Sequence, residues 1–252
     1  MSQDEAWLLQ EKYSGVETEA FFHDVERLRA GEPLAYIIGS IPFLHTKIFL
    51  DSRPLIPRTE TEFWVEKVIS KVLQSHENEV SILDLCAGSG CIGVAILNDI
   101  PRASVDFAEI DEMHHPTIRR NIEENNLSSR VFEIYGGSLF EKITQKYDYI
   151  ISNPPYIDAS LNRTADSVKK YEPEIALYGG ADGMELITHI IDNAPIHLTD
   201  RGVLVLEHEP EQGDAIARYA LIHGFTCQTY PDQFGVARYT VCSRTTPSLV
   251  AQ

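Results

Sequence analysis

The chain has 252 residues, of which 43% are hydrophobic and 23% charged, and its formal net charge is −17. The length suits one α/β domain with a small appendage, and the composition is ordinary for a globular protein. The charge argues against broad nucleic-acid binding, which needs a basic face, and no apolar run approaches the ~18 residues of a membrane span.

The amino terminus, Met1-Ser2-Gln3-Asp4-Glu5, is acidic and lacks the basic region of a signal peptide. Four cysteines (Cys86, Cys91, Cys227, Cys242) show no Cys-x-x-Cys spacing. They read as reduced thiols of a cytoplasmic protein, without a metal site. Residues 1–32 carry two helical patterns, a short one through Ala6, Leu8 and Leu9 and a second from Glu17 to Ala30, with Gly31 as its stop. This arm is too short to bury much core alone, so it is expected to pack on the rest of the chain. Residues 33–57 read as a β-hairpin and linker: Leu34 to Ile38, then Phe43, then Lys47 to Leu50, then Leu55-Ile56-Pro57 as strands, with a turn at Asp51-Ser52. A catalytic domain is expected over 58–252. Arg58 opens it and can be a solvated loop charge, a structural salt-bridge partner or a lid over a ligand carboxylate. A helix from Phe63 to Leu73 follows, with acids at its favourable end.

From residue 80 the pattern alternates. Strands are predicted at Val80–Leu85, Val105–Glu109, Val131–Tyr135, Tyr149–Ser152, Val203–Glu207, Phe225–Tyr230 and Val236–Cys242. Helices are predicted at Cys91–Leu97, His115–Asn126, Asp182–His197 and Glu211–His223. Alternation of this kind implies a mostly parallel sheet covered on both faces. The last two strands lack an intervening helix, so the final strand is expected to run antiparallel.

Two turns carry chemistry. Ser152 ends a buried strand and is followed by Asn153-Pro154-Pro155-Tyr156. The prolines cannot continue the ladder, and Pro154 biases Asn153 away from helical dihedrals. A rigid polar turn then stands at the carboxyl end of a strand, where open α/β sheets bind ligands. The Asn153 side-chain oxygen and a nearby carbonyl can both accept from an –NH2 group, and Tyr156 can pack on a planar amide or base. The second turn, Asp84-Leu85-Cys86-Ala87-Gly88-Ser89-Gly90, lets backbone approach a ligand where a helix begins. An acid at the end of the next strand can hold ribose hydroxyls; Glu109 is in that place and Asp111 competes. The first glycine of a dinucleotide fingerprint is replaced by Cys86, which favours a nucleoside without phosphates over NAD.

Together these stretches resemble the peptide-chain release factor glutamine methyltransferases, the PrmC/HemK family of class I methyltransferases. The resemblance rests on Gly31 to Gly39, on Ile-Pro-Arg-Thr-Glu-Thr-Glu at Ile56 to Glu62, and on Asp84 to Gly90. It rests also on Ser-Asn-Pro-Pro-Tyr-Ile at Ser152 to Ile157 and on the Glu-Pro and Gly-Gly-x-Asp-Gly elements between Glu172 and Gly183. It implies a Rossmann-like fold with a seven-stranded sheet and S-adenosylmethionine as cofactor. It places Cys86, Ala87, Gly88, Ser89 and Gly90 along the methionine and ribose part and Glu109 on the ribose, counted back from Asn121. Ser138 and Leu139 would flank the adenine, and Asn153, Pro154, Pro155 and Tyr156 would grip the substrate. Asn153 would face both cofactor and substrate. Departures from the family pattern are Cys86 for glycine, Glu109 for aspartate, Ser138 for an acid, Thr59 for proline and a short N-terminal helical region.

The implied reaction is methyl transfer to the side-chain amide nitrogen of the glutamine in the Gly-Gly-Gln loop of a class 1 release factor. Orientation of the amide by Asn153 and the Pro154 carbonyl would supply the rate, with no general base. His114, His115 and His208 read as solvated or structural. The other readings are methylation of a ribosomal-protein glutamine and adenine-N6 methylation of DNA or RNA, which uses the same amino-group acceptors. No membrane association and no direct nucleic-acid binding are expected.

Overall fold

The computed structural model describes residues 1–75 and 78–244. The chain begins with α1 (Gln3–Tyr13), α2 (Glu19–Arg29) and α3 (Leu34–Ile38), then the hairpin β1 (Ser40–Phe43) and β2 (Thr46–Phe49). It continues through α4 (Thr59–Ser75), β3 (Val80–Leu85), α5 (Cys91–Asp99), β4 (Ala103–Ala108), α6 (His115–Glu124) and β5 (Ile134–Tyr135). The rest is β6 (Tyr147–Ser152), α7 (Asp166–Tyr171), α8 (Glu185–His197), β7 (Leu198–Glu207), α9 (Gly213–Ile222), β8 (Phe225–Pro231) and β9 (Ala237–Arg244).

Seven strands form one sheet in the order β5-β4-β3-β6-β7-β9-β8. The strands from β5 to β7 pair in parallel, and β9 runs antiparallel to both its neighbours. This is the doubly covered α/β sheet that the alternating pattern predicts. One face buries Ile82, Val105, Phe107 and Ile151 against α4, α5 and α6. The other buries Leu83, Leu85, Ile150 and Leu204 against α8 and α9. Strand alternation sends consecutive apolar residues to opposite faces, so runs such as Tyr149-Ile150-Ile151 and Val203-Leu204-Val205-Leu206 require helices on both sides. The reversal of chain order falls between β3 and β6, and both functional turns lie at the carboxyl ends of those two strands.

The arm does pack on itself and on its neighbours. Leu8, Phe21, Val25 and Ile37 form a small core. Ser2 caps α1 through a capping box with Glu5, and Thr18 caps α2. Asp24 is buried and receives Lys12, Tyr13 and Arg27. Glu32 joins the arm to the linker by pairing with Arg27 and Arg53. No described helix is long and apolar enough to cross a membrane.

Several sequence expectations need correction. Leu34 to Ile38 is a helix, not a strand: a short apolar run has no period that distinguishes the two. Pro33 precedes it, Gly39 ends it with φ +89°, and Ile37 is buried against the arm. Leu55-Ile56-Pro57 pairs with no strand; the Ile56 N–H donates to the Glu172 carboxylate instead. The strand predicted at Val131–Tyr135 is regular only at Ile134–Tyr135, although Val131 and Glu133 still accept from β4. Cys227 and Cys242 are not free thiols. They face each other in the β8–β9 ladder, 4.0 Å apart at Cα, and form a disulfide. They are 15 residues apart in sequence, so only the antiparallel register brings them together. Cys86 and Cys91 are free.

Candidate active site

The glycine turn between β3 and α5 is left-handed at three residues: Cys86 at φ +62°, Gly88 at +55° and Gly90 at +77°. Cys86 thus adopts the conformation usually left to glycine, at the place where the turn lacks one. Beneath the turn Asp84 is fully buried, and its Oδ2 accepts from the Gly93 N–H at 2.8 Å. Burial pushes its pKa up from 3.8 to about 8. Asn121 of α6 is buried too. Its Nδ2 donates to the Ser89 and Phe49 carbonyls and its Oδ1 accepts from the Phe49 N–H, so one amide clips the β-hairpin to the turn.

The turn forms one wall of a cavity of about 310 Å³. Cys86, Gly88 and Glu109 line it from the sheet side, Ser138 and Leu139 from the loop after β5, and Asn153 and Pro155 from the loop after β6. Glu109 is 7% exposed. Its Oε2 accepts from the Gly88 N–H at 2.7 Å and its Oε1 from the Asp111 N–H at 2.9 Å. Each oxygen keeps a second lone pair, and together these can accept from two vicinal sugar hydroxyls. Asp111 does not line the cavity; its side chain caps the Met113 N–H. Ala108, Ile110 and Leu139 give the cavity an apolar slot that suits a planar base. An acidic grip, a close backbone approach and an apolar slot are what an adenosine group requires, so the residues fit the adenosine part of S-adenosylmethionine. Burial first and then the Glu109 charge push the Cys86 thiol up to about 12.

Ala87, Ser89 and Gly90 are in the turn but do not line the cavity. They shape it: Ala87 and Ser89 are buried, and a Cβ on Gly90 would come within 3.1 Å of Ile118.

A second cavity, of about 210 Å³, adjoins the first. Pro154, Tyr156 and Ile157 line it together with Arg58, Val168 and Leu177. Asn153, Leu55 and Ala176 line both cavities, so Asn153 stands at their junction. The Asn153 Nδ2 donates to Thr61 Oγ1 at 3.3 Å. Thr61 Oγ1 in turn donates to Glu207 Oε2 at 2.6 Å, and Tyr156 OH donates to Glu207 Oε1 at 2.8 Å. Arg58 is a structural partner: it pairs at 2.7 Å with Glu172, whose side chain is 2% exposed.

The Gly-Gly-x-Asp-Gly segment backs the same turn. A Cβ on Gly179 would lie 2.5 Å from the Pro155 carbonyl oxygen, and one on Gly183 2.0 Å from that of Tyr156. Gln212 closes the arrangement, donating to the Tyr156 and Asp182 carbonyls.

Sequence reasoning missed Thr61 and Glu207 as neighbours of Asn153, and missed His114, Ile110, Ile175 and Leu186 on the cavity walls. Glu207 had one readable sign, an acid at the carboxyl end of a predicted strand; the cavity-wall residues had none. His114 is buried, bonds Ser52 at 2.8 Å and also lines the cavity. His115 bonds the Glu109 carbonyl. His208 is fully buried between the Glu209 carbonyl and Thr240, and burial lowers its pKa.

The fold and the paired cavities define a Rossmann-like, class I methyltransferase, a class that uses S-adenosylmethionine. The Methyltransferase small domain family matches residues 66–170. A methyltransferase from Pyrococcus furiosus superposes with a TM-score of 0.59, covering 88% of this chain and 98% of its own at 17% identity, which supports the fold alone. In sequence, the release factor glutamine methyltransferase of Thermodesulfovibrio yellowstonii is 34% identical over 87% of this chain and 79% of its own length. That of Streptococcus pneumoniae is 34% identical over 94% and 85%. The chain belongs to the release factor glutamine methyltransferase family.

Proposed function

We propose that this protein methylates the side-chain amide nitrogen (N5) of the glutamine in the Gly-Gly-Gln motif of class 1 peptide chain release factors. The observation that carries this reading is Asn153 at the junction of the two cavities. The first cavity takes S-adenosylmethionine, which supplies an electrophilic methyl group on a sulfonium. Glu109 holds the ribose hydroxyls, Gly88 approaches the cofactor through its backbone, and Ser138 and Leu139 flank the adenine. Cys86 borders the same cavity, and Ala87, Ser89 and Gly90 hold the turn's shape. The second cavity admits the glutamine side chain of a glycine-rich loop, which is slender enough to enter.

A primary amide nitrogen is a weak nucleophile because its lone pair is delocalised into the carbonyl. The Asn153 Oδ1 and the Pro154 carbonyl accept from its two N–H bonds and hold the nitrogen at the cavity junction. These acceptors favour a more localised lone pair and take the charge that develops on the –NH2 group. Pro154 and Pro155 keep the acceptors rigid, and Tyr156 packs beside the substrate amide. The nitrogen would gain the methyl group as the methyl–sulfur bond breaks, the bonding pair staying on sulfur to leave neutral S-adenosylhomocysteine, and would lose one proton to solvent; no side chain is needed as a general base. Orientation and pre-set acceptors account for the rate. The arm, residues 1–32, contributes to docking the release factor.

The test is methyl transfer from labelled S-adenosylmethionine to a purified release factor, to ribosomal proteins and to DNA, run side by side. Label on the release factor, lost when its Gly-Gly-Gln glutamine is changed to glutamate, is the expected result. Label on DNA or on a ribosomal protein alone, or continued methylation of the glutamate variant at that residue, refutes the proposal.

A further inference from the structure

Glu207 ends β7 directly under the Asn153–Tyr156 turn and is 1% exposed. An ionised carboxylate has acceptors only. Three donors converge on this one. Thr61 Oγ1 and Trp64 Nε1, both on α4, reach Oε2 at 2.6 Å, and Tyr156 OH reaches Oε1 at 2.8 Å. Thr61 has a single hydroxyl proton, and it is spent on Glu207. The Thr61 oxygen is then available to Asn153 only as an acceptor, and the amide nitrogen of Asn153 is the end that faces it, at 3.3 Å. The reverse orientation would set the Asn153 oxygen against the Thr61 oxygen with no proton between them. The two ends of an amide have nearly the same shape, so packing alone cannot choose between them; the hydrogen-bond network must.

We infer that Glu207 is a positioning residue which, through the Thr61 hydroxyl, sets the end of the Asn153 amide that is offered to the substrate, and which also holds the Tyr156 ring in place. The fold supplies the reason for a buried acid here. Without an obligate acceptor behind it, the Thr61 hydroxyl could turn round and donate to Asn153, and the amide could present its –NH2 to another –NH2. Burial raises the Glu207 pKa, and the Thr61, Trp64 and Tyr156 hydrogen bonds oppose that rise together with the nearby Arg238. Tyr156 is itself raised well above its usual value, first by burial and then by the Glu207 charge, so the proton in that bond stays on the phenol.

The inference rests on amide-nitrogen transfer for its catalytic meaning, but its structural half can be read without any substrate. Thr61→Val replaces the hydroxyl by a methyl group and leaves Trp64 and Tyr156 on Glu207. With release factor as acceptor, kcat should fall ~10-fold or more, as for loss of one orienting hydrogen bond, while the KM for release factor and the affinity for S-adenosylhomocysteine stay within about twofold. Thr61→Ser restores the hydroxyl and should recover most of the rate. In the substrate-free protein, the side-chain –NH2 resonances of Asn153, assigned by their absence in Asn153→Ala, should move in Thr61→Val and return in Thr61→Ser. Thr61→Ala gives the same readouts should the valine variant not fold. In Glu207→Gln, Trp64 is a donor only and forces the new carbonyl oxygen to its side, so the Thr61 relay survives and the loss of kcat should be smaller than in Thr61→Val. Unmoved Asn153 resonances, a serine variant as slow as the valine one, or a kcat for Thr61→Val within about twofold of the native enzyme each overturn the inference. Should the native enzyme leave release factors unmodified, the methylation reading falls, and the resonances, read in Glu207→Gln as well as in the Thr61 variants, still decide the structural half: they should stay nearly unmoved in Glu207→Gln, and a shift there as large as in Thr61→Val overturns the relay.

Discussion

Glu109 offers the sharpest test of the cofactor site. Both its oxygens already accept a backbone N–H, from Gly88 at 2.7 Å and from Asp111 at 2.9 Å. Glu109→Ala removes the two acceptors proposed for the ribose and strands those two N–H groups. Hydrogen bonds to a charged group contribute ~1.5–3 kcal/mol, and sharing with the backbone reduces the share that depends on the ligand. A net loss of ~2–4 kcal/mol corresponds to a ~30- to ~700-fold weaker Kd. Glu109→Gln separates this account from simple charge loss. Its –NH2 must point at the Gly88 N–H or at the Asp111 N–H, donor against donor, so the isosteric change should weaken binding about as much as the truncation. Asp111→Asn is the control. The side chain caps Met113 and lies 3.9 Å from His114 Nε2, and an asparagine of the same shape caps equally well, so the change should be less than about threefold. Calorimetric titration with S-adenosylhomocysteine measures all three, with thermal melts to confirm folding. Unchanged affinity in Glu109→Gln, or a larger loss in Asp111→Asn than in either Glu109 variant, would show the reasoning to be wrong.

Asn153→Ala should lower turnover by ~10²-fold or more with the fold retained, because it deletes a pre-set acceptor at the reacting nitrogen; steady-state methylation kinetics decide, and a loss below about fivefold contradicts the assignment. Asn153→Asp keeps an acceptor but loses the donor that meets Thr61, so it should recover little activity if orientation matters most. Gly183→Ala forces a Cβ to 2.0 Å from the Tyr156 carbonyl oxygen at a residue with φ +66°. It should cost ~1–3 kcal/mol in denaturant unfolding and more in activity than in stability; a neutral result on both counts would mean the loop is looser than its glycines imply. For Asp84 the folded-state pKa is raised from 3.8 to about 8. Between those values the unfolded chain releases this proton and the fold retains it. Stability from this group is therefore full below about pH 4 and declines as the pH rises toward 8. Asp84→Asn removes that contribution, so unfolding free energies across this range should slope less in the variant than in the native protein, and parallel slopes would refute it.

Much of this enzyme was legible in the chain itself. The consecutive apolar residues Tyr149-Ile150-Ile151 of β6 and Val203-Leu204-Val205-Leu206 of β7 can be satisfied only by burial on both faces, and with the alternation of strands and helices they made the covered parallel sheet legible from residue type. Asn153-Pro154-Pro155-Tyr156 and Gly88-Ser89-Gly90 announced the two functional turns because proline and glycine restrict or free the backbone locally, without help from distant residues. An acid at the end of β4 could be named as well, although which of Glu109 and Asp111 lines the cavity is decided only by where each carboxylate turns. Tertiary structure decided what depends on contacts across long stretches of chain. Leu34 to Ile38 is too short to declare its period, and it became a helix because the arm's small core receives Ile37. Cys227 and Cys242 are joined by strand register, which neither strand encodes alone. Thr61 meets Asn153 from 92 residues away and Glu207 from 146, and no local pattern marks a hydroxyl as the link between them. A hydrogen bond has a direction only once both partners are in place, so the orientation of the Asn153 amide exists in the folded protein and nowhere in the sequence.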